Sequence, residues 1–462
     1  MPIQIYNSLT KKKEDLIPLD GKTIKMYSCG VTVYDKCHIG HARSLCIFDM
    51  IRRYLAYRNY DVHFVRNITD VDDKIINKGK ELGISFEDVV AENIELYEND
   101  LQNLGVQKAD SEPRATQYIE KIIVFIKKLI DKGFAYESQG DVYYSVRKFK
   151  EYGRLSGQSI DQMIEATRID QDPKKHDPLD FALWKRVKGQ EKCWKSPWGD
   201  GRPGWHIECS CMSLHELDCE TLDIHAGGRD LIFPHHENEI AQSQALTGKL
   251  FAKYWIHHGL LTINGHKMAK STGNFITLDK ILEKYPSDIL KLFFLQSHYT
   301  SPVDFSWEKM EEVKRAYERI SILLNKLDGC NTDSPDGEVA EGIVKRRQEF
   351  QNDMDDDFNT PKALSVIYDL VNECNKALDR KIQKGNSLGS EISGFIKEVF
   401  AIFGIDFDQG VSLSVEEQSF LDQRVEARKA KNFQKSDELR DLLKERGLLV
   451  EDTKDGQVWR RS

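Results

Sequence analysis

Long apolar runs are missing from this chain. No uninterrupted stretch approaches the roughly 20 residues needed to cross a bilayer, which argues against a helical membrane protein. The opening Met1-Pro2-Ile3-Gln4 lacks the charged and apolar regions of a secretory signal, so a cytoplasmic location without a membrane partner is expected. An excess of positive charge is missing too. The formal net charge is −9, and any nucleic acid would have to be met by local basic patches rather than by the whole surface. The nine cysteines are odd in number and irregularly spaced. That argues against a disulfide framework and leaves each thiol as core filler, metal ligand or nucleophile. No internal repeat or long low-complexity tract appears.

What is present is a globular balance, 40% hydrophobic and 31% charged, over 462 residues. Such a chain is too long for one core and should divide into roughly three or four domains. Strand-like and helical patterns alternate through the first 115 residues or so: a strand over 22–29, a helix over 42–57, a strand over 62–67, then helical stretches from Asp72. This is α/β texture. From Tyr118 to Gly204 it changes to a helix (119–132), a strand pair around 134–146 and a stretch with Trp194, Pro197, Trp198 and Pro203, which reads as an insertion. Alternation resumes with a strand at Leu222-Asp223-Ile224-His225, a helix from Pro234 and a strand over 255–263. Helical periodicity dominates 306–403, interrupted by polar segments at 329–338 and 384–390; a charged helix through Lys444 and a β-like tail over 447–461 follow.

The most informative segment is Cys29-Gly30-Val31-Thr32-Val33-Tyr34-Asp35-Lys36-Cys37-His38-Ile39-Gly40-His41-Ala42-Arg43, a strand-to-helix crossing. Its histidines open a helix, where unpaired backbone N–H groups and the helix dipole favour phosphate. Taken alone, His38 and His41 are more often ordinary helix-start residues than a functional pair. Lys267-Met268-Ala269-Lys270-Ser271, before Thr272-Gly273-Asn274, sets two ammonium groups in a loop beyond a hairpin-like turn; alone it is also a plain solvated loop. Together the motifs suit ATP, with imidazoles and amides on phosphate, Gly40 admitting adenine, and the lysines neutralising pyrophosphate. In Pro234-His235-His236-Glu237-Asn238-Glu239, His235 and Glu239 stand four apart on one helix face, a chelating spacing or simply a helix-start acidic cluster.

On these two motifs the chain resembles a class I aminoacyl-tRNA synthetase, with Ala269 where the family usually has serine. Three further stretches extend the likeness to the cysteinyl-tRNA synthetase family from end to end: 66–75 (Arg-Asn-Ile-Thr-Asp-Val-Asp-Asp-Lys-Ile), 201–210 with Trp205 and Cys209, and 355–363. The resemblance implies a Rossmann-like parallel-sheet catalytic domain with an inserted connective subdomain, an all-helical bundle and a small C-terminal α/β anticodon-binding domain. The boundaries expected are 1–117 and 205–254 for the catalytic halves, 118–204 for the insertion, 255–305 for a stem-contact region with the lysine loop, 306–403 for the bundle and 404–462 for the anticodon domain.

The resemblance also implies that Cys29, Cys209, His235 and Glu239 hold one zinc per chain, and that the substrate's thiol joins them. Cysteine and serine differ by one atom, too little for pocket shape to separate well, whereas a soft metal prefers thiolate to hydroxyl. His38, His41, Lys267 and Lys270 are then catalytic and ATP-binding, with Gly40, and Mg2+ is expected with ATP. Thr69, Trp205 and Asp230 are candidates for the amino acid. Cys37, Cys211 and Cys219 read as packing, and His206, His225 and His236 as weaker candidates. Arg428 and Lys431, in a cation-rich helix, and Trp459 and Arg460, in the tail, are candidates for tRNA, although a charged helix is also simply a solvated face. The partners expected are tRNA(Cys), ATP and L-cysteine, acting on a monomer. The alternatives are a ligase passing cysteine to an amino sugar, which lacks an anticodon domain, and a non-catalytic zinc-stabilised RNA-binding protein.

Overall fold

The computed structural model describes residues 2–166, 172–187, 189, 191–268, 273–328, 337–379, 388–407, 415–453 and 456–461. Its chain divides into two compact units, Met1–Ile405 and Asp406–Ser462.

In the first unit four parallel strands form the central sheet: β1 (Thr23–Thr32), β2 (Asp61–Thr69), β3 (Leu222–Gly228) and β4 (Ala252–His258), in the order β4-β3-β1-β2. Ile24, Met26, Phe64, Val65, Ile224 and Ile256 are buried, as expected of strands covered on both faces. Helix α1 (Ile39–Tyr57) connects β1 to β2; α2 (Trp205–Glu216) precedes β3, and α3 (Glu237–Thr247) connects β3 to β4. The chain leaves β1 and β3 in opposite directions across the sheet, so a crevice opens beyond their carboxyl ends, the usual ligand position in such sheets.

Several expectations from the sequence need correction. The strand expected over 255–263 is two strands in two sheets, β4 and Leu261–Ile263, because the chain breaks at Gly259; a Cβ there would lie 2.2 Å from the Ser301 carbonyl oxygen. The boundary placed between 254 and 255 therefore falls inside β4. Leu261–Ile263 pairs with His266–Lys267 and with Val303–Phe305 in a small separate sheet. The helix expected from Pro234 begins at Glu237, after a wide turn over Ile232–His236 in which Phe233 leaves helical geometry. An N-terminal hairpin, Gln4–Asn7 with Lys12–Asp15, had no signal in the pattern; Asn7 fastens it to β4, accepting from Trp255 N and donating to the Lys253 carbonyl.

The insertion is larger in sheet content than its pattern suggests. Ala135–Ser138 and Asp141–Tyr144 are joined by Phe181–Arg186 and Gly201–Pro203 into an antiparallel four-stranded sheet. Its core, with Ile122, Phe125, Val142, Leu183 and Trp184, is continuous with Ile207, Cys211 and Met212 of α2 and Ala241 and Ala245 of α3. The insertion thereby buttresses the two helices that supply site residues.

Helices Trp307–Asp328, Gly337–Asp355, Thr360–Asp379 and Leu388–Ile402 make the bundle. The polar segments expected at 329–338 and 384–390 lie largely outside the described residues. The bundle is tied to the catalytic part through its acidic triplet: Asp355 accepts from Tyr54 Oη (2.6 Å) and Asp357 from Tyr299 Oη (2.7 Å) and Tyr6 N (2.8 Å).

The second unit holds helices Val415–Lys429 and Phe433–Glu445 and a hairpin, Leu448–Thr453 with Gly456–Arg461, around Leu421, Leu443, Leu448 and Val450. One continuous charged helix was expected here; it is two, broken at Lys431, whose φ is +60°. Among the described residues no helix is long and apolar enough to cross a membrane.

Candidate active site and metal centre

His38 caps α1. Its Nδ1 accepts from the backbone N–H of Gly40 (3.1 Å) and His41 (3.3 Å), and its ring stacks on His41 with centroids 3.6 Å apart. The first-turn amides that the sequence reading left unpaired for phosphate are thus already bonded by His38. Burial first, then His38 and Lys74, pull the His41 pKa down to about 3, so that imidazole is neutral. Gly40 has no room for a side chain: a Cβ would lie 2.9 Å from His38 Cε1.

The two sequence motifs, more than two hundred residues apart, meet here. Ile39 N donates to the Ile276 carbonyl and Leu278 N to the Cys37 carbonyl; Phe275 stands edge-on to His38 at 5.3 Å. Met268 Cε is 3.8 Å from where a Gly40 Cβ would sit. Lys267 ends its strand exposed, its carbonyl accepting from Asn274 Nδ2. Lys270, with Ala269, Ser271 and Thr272, lies outside the described residues.

At the carboxyl-terminal parts of β1 and β3 lies a cluster of metal-ligating groups. The β1–β2 register slips between Ser28 and Val31, a bulge that places Cys29 and Gly30 opposite Asn67 alone. Cys29 Sγ stands 3.9 Å from Cys209 Sγ of α2 and 3.5 Å from Glu239 Oε1 of α3, and His235 Nε2 is 3.0 Å from Glu239 Oε1. Two sets of four donors, each with all ligand atoms within 4.8 Å of one another, share this space: Cys29, Cys209, His235 and Glu239, and Cys29, His225, His236 and Glu239. Cys209, His235 and Glu239 are buried and Cys29 half-buried.

Burial pushes Glu239 up, but His225 and His235 outweigh it and hold the carboxyl down at about 2. His235 is pushed down by burial and brought up to about 10 by Glu239 and Cys209. Burial raises the Cys29 thiol, with Cys209 and Glu239 adding to it. Buried charges so close are costly unless paired or on a metal, and thiol, imidazole and carboxylate donors at this spacing could hold a metal ion.

Outer residues orient these donors. His225 Nε2 bonds Glu239 Oε2 (2.8 Å), His206 Nδ1 meets His235 Nδ1 (2.9 Å), and His236 Nδ1 is joined to His257 Nε2 (2.8 Å), whose Nδ1 reaches Ser8 Oγ (2.8 Å). Asn67 was not singled out from the sequence. Its Oδ1 accepts from Gly30 N at 2.9 Å and faces Cys209 Sγ at 3.7 Å, and its Nδ2 donates to Thr69 Oγ1 at 3.1 Å. No periodicity marks such a residue; only its place beside Thr69 in the 66–75 motif hints at it.

Thr69 is buried at the end of β2 and donates to Glu208 Oε2 at 3.3 Å. Trp205, 40% exposed, lies on His235 with centroids 4.4 Å apart, a wall beside the cluster. Asp230 is exposed just after β3, its carboxylate beside Gly228, and no hydrogen bond joins it to the cluster among the described residues. Cys37, Cys211 and Cys219 belong to neither donor set. In the second unit Arg428 pairs with Asp452 (2.7 Å), which also takes both Nη atoms of the buried Arg424; Lys431 is exposed in the turn. Trp459 and Arg460 lie on the strand Gly456–Arg461, their side chains outside the described residues. Phe433, unmarked by the sequence reading, is 60% exposed beside that turn.

Residues 15–315 match the model of the class I tRNA synthetase (C) catalytic domain, 349–408 a DALR domain, and 411–460 the cysteinyl-tRNA ligase anticodon-binding domain. The chain is 48% identical over 489 residues to a cysteine–tRNA ligase of Sulfurihydrogenibium sp., with all of both chains covered. It belongs to the cysteine–tRNA ligase family. A cysteine–tRNA ligase of Halalkalibacterium halodurans is 47% identical over 466 residues, again across the whole of both chains. Among solved structures, methionyl-tRNA synthetase of Mycobacterium tuberculosis superposes with a TM-score of 0.62 at 15% identity, covering 83% of this chain and 89% of that one, a likeness of fold. The family's full-length match, anticodon domain included, leaves the amino-sugar and non-catalytic readings without support.

Proposed function

We propose that this chain joins L-cysteine to tRNA(Cys) in two steps: the cysteine carboxylate attacks the α-phosphorus of ATP, giving cysteinyl-adenylate and pyrophosphate, and the terminal ribose hydroxyl of the tRNA then takes the cysteinyl group, releasing AMP. The observation that carries this reading is the buried thiol, imidazole and carboxylate cluster at the carboxyl ends of β1 and β3, with the His38–His41 turn following β1 and Met268 of the lysine segment packed beside Gly40. Positioning and charge stabilisation do most of the work in such a reaction.

Cys29, Cys209, His235 and Glu239 are taken as the holders of one zinc. Their two thiols, imidazole and carboxylate are its usual donors, whereas the rival set replaces Cys209 and His235 by His225 and His236 and so offers one thiol fewer; the family resemblance also favours the first set. When bound, zinc supplies a Lewis acid that accepts thiolate sulfur and discriminates against a hydroxyl. His225 and His236 then act as outer residues that aim Glu239 and Cys29. Trp205 walls the pocket over His235, and Thr69 and Asp230 receive the substrate ammonium. His38 releases the Gly40 and His41 amides to phosphate; Gly40 leaves space for adenine, and Lys267 and Lys270 neutralise pyrophosphate leaving with Mg2+. Arg428, Lys431, Trp459 and Arg460 engage the anticodon loop, with Phe433 as a stacking surface. Residues 306–403 support the tRNA. The chain is taken to act as a monomer, and the reaction belongs to the cytoplasm, where tRNA is charged.

The test is cysteine-dependent pyrophosphate–ATP exchange by metal-loaded protein, followed by cysteinylation of total tRNA. Exchange that Cys209→Ser abolishes together with bound metal supports the assignment; full exchange by metal-free protein contradicts it.

A further inference from the structure

Arg43 lies two residues beyond His41 on α1, and its side chain is buried. No carboxylate pairs with it among the described residues. Instead Nη1 donates to the carbonyls of Gly259 (2.7 Å) and Leu260 (2.8 Å), and Nη2 to those of Tyr299 (3.2 Å) and Ser301 (2.6 Å). Its Nε has no partner, and burial lowers its pKa to about 10. A cation buried without a counter-ion is expensive, and four carbonyls are what compensate it.

Those carbonyls are the two roots of the small sheet that bears Lys267. Gly259–Leu260 is the passage from β4 into the hairpin Leu261–Ile263 and His266–Lys267, and Tyr299–Ser301 leads into Val303–Phe305, which pairs with Leu261–Ile263. The junction is close-packed: a Cβ on Gly259 would lie 2.2 Å from the Ser301 carbonyl oxygen. At the other end of the segment, His38 bridges Thr277 and Ile39 N bonds the Ile276 carbonyl. The first two turns of α1 therefore hold the lysine-bearing segment at its entrance and at its exit.

We propose that Arg43 is a positioning residue for adenylate formation: by gripping both roots of the hairpin it sets where Lys267 and Met268 stand relative to the His38–His41 turn. This rests on the reading of Lys267 as a group for pyrophosphate. The forked, planar guanidinium is essential to it, because a lysine ammonium is a point charge that cannot span two pairs of carbonyls. The proposal separates two functions housed in one unit, since the metal cluster makes no contact with Arg43 among the described hydrogen bonds.

Arg43→Lys keeps the charge and loses the fork; Gly259→Ala disturbs the same junction from the other side, leaving α1 unchanged. In the full-length, metal-loaded chain each variant is expected to slow maximal cysteine-dependent pyrophosphate–ATP exchange roughly 10- to 100-fold, as small misplacements of a charge-stabilising group do. The KM for cysteine is expected to stay within about twofold, and the metal content to match the parent. Amide hydrogen exchange is expected to quicken over 261–268 and to stay unchanged over β1 to β4. Exchange kinetics equal to the parent in both variants overturn the proposal, as does a rate loss that merely tracks loss of metal. If Arg43→Lys does not fold, Gly259→Ala decides. A parent chain inactive in exchange sinks the reading of adenylation instead, and the hydrogen-exchange pattern then judges Arg43 alone.

Discussion

Gly30 and Asn67 are locked together: the Gly30 amide donates to Asn67 Oδ1 at 2.9 Å, and a Cβ on residue 30 would fall 1.6 Å from the Asn67 carbonyl oxygen. The contact lies within the bulge that places Cys29 near Cys209. Gly30→Ala must push β1 and β2 apart, at a cost of about 1–3 kcal/mol typical of overpacking. The expected outcome is a lower melting temperature together with loss of stoichiometric metal binding, read by thermal denaturation and elemental analysis. A variant that melts lower yet keeps its metal would show that the bulge serves stability only.

His41 predicts a pH dependence. Its folded pKa is depressed to about 3, chiefly by burial, against 6.5 for the free side chain. Between those values the unfolded chain binds a proton that the folded chain does not, so stability rises with pH across that window and falls as the medium is acidified below 6.5. The slope from one such group approaches about 1.4 kcal/mol per pH unit. Urea denaturation at several pH values is expected to give a shallower dependence for His41→Asn than for the parent between pH 6.5 and 4. Identical slopes would contradict a neutral His41 in the fold.

Phe433 stands exposed at the start of a helix, between Lys431 in the preceding turn and Lys435. Stacking on one base is worth roughly 1–3 kcal/mol, so Phe433→Ala is expected to raise the KM for tRNA by about fivefold or more. Pyrophosphate–ATP exchange, which needs no tRNA, is expected to remain at the parent rate. A fall in both activities would mean a folding defect instead.

The α/β alternation, the insertion and the bundle were all legible in hydrophobic periodicity, because each long element buries one continuous stripe or strand. The site was legible unevenly. The spacing of His235 and Glu239 suggested a chelate directly, but nothing in linear distance connects them to Cys29 and Cys209; the family resemblance did. His225 and His236 enter the same space through the register of β3 and the wide turn at Ile232–His236, neither of which periodicity reports. The break at Gly259 was hidden because residues 255–263, rich in strand-forming side chains at both ends, read as one strand, and what divides it is the close approach of the Ser301 carbonyl. Lys431 hides the second helix start for a similar reason: its left-handed φ leaves no mark among charged neighbours.

The account turns on sulfur recognition at the Cys29, Cys209, His235 and Glu239 cluster. Its most direct test is zinc-edge X-ray absorption on the zinc-loaded chain, recorded alone, with L-cysteine and with L-serine. The account predicts sulfur from Cys29 and Cys209 alone at first, one added sulfur with L-cysteine, and no change with L-serine. A spectrum that L-cysteine leaves unaltered would contradict it.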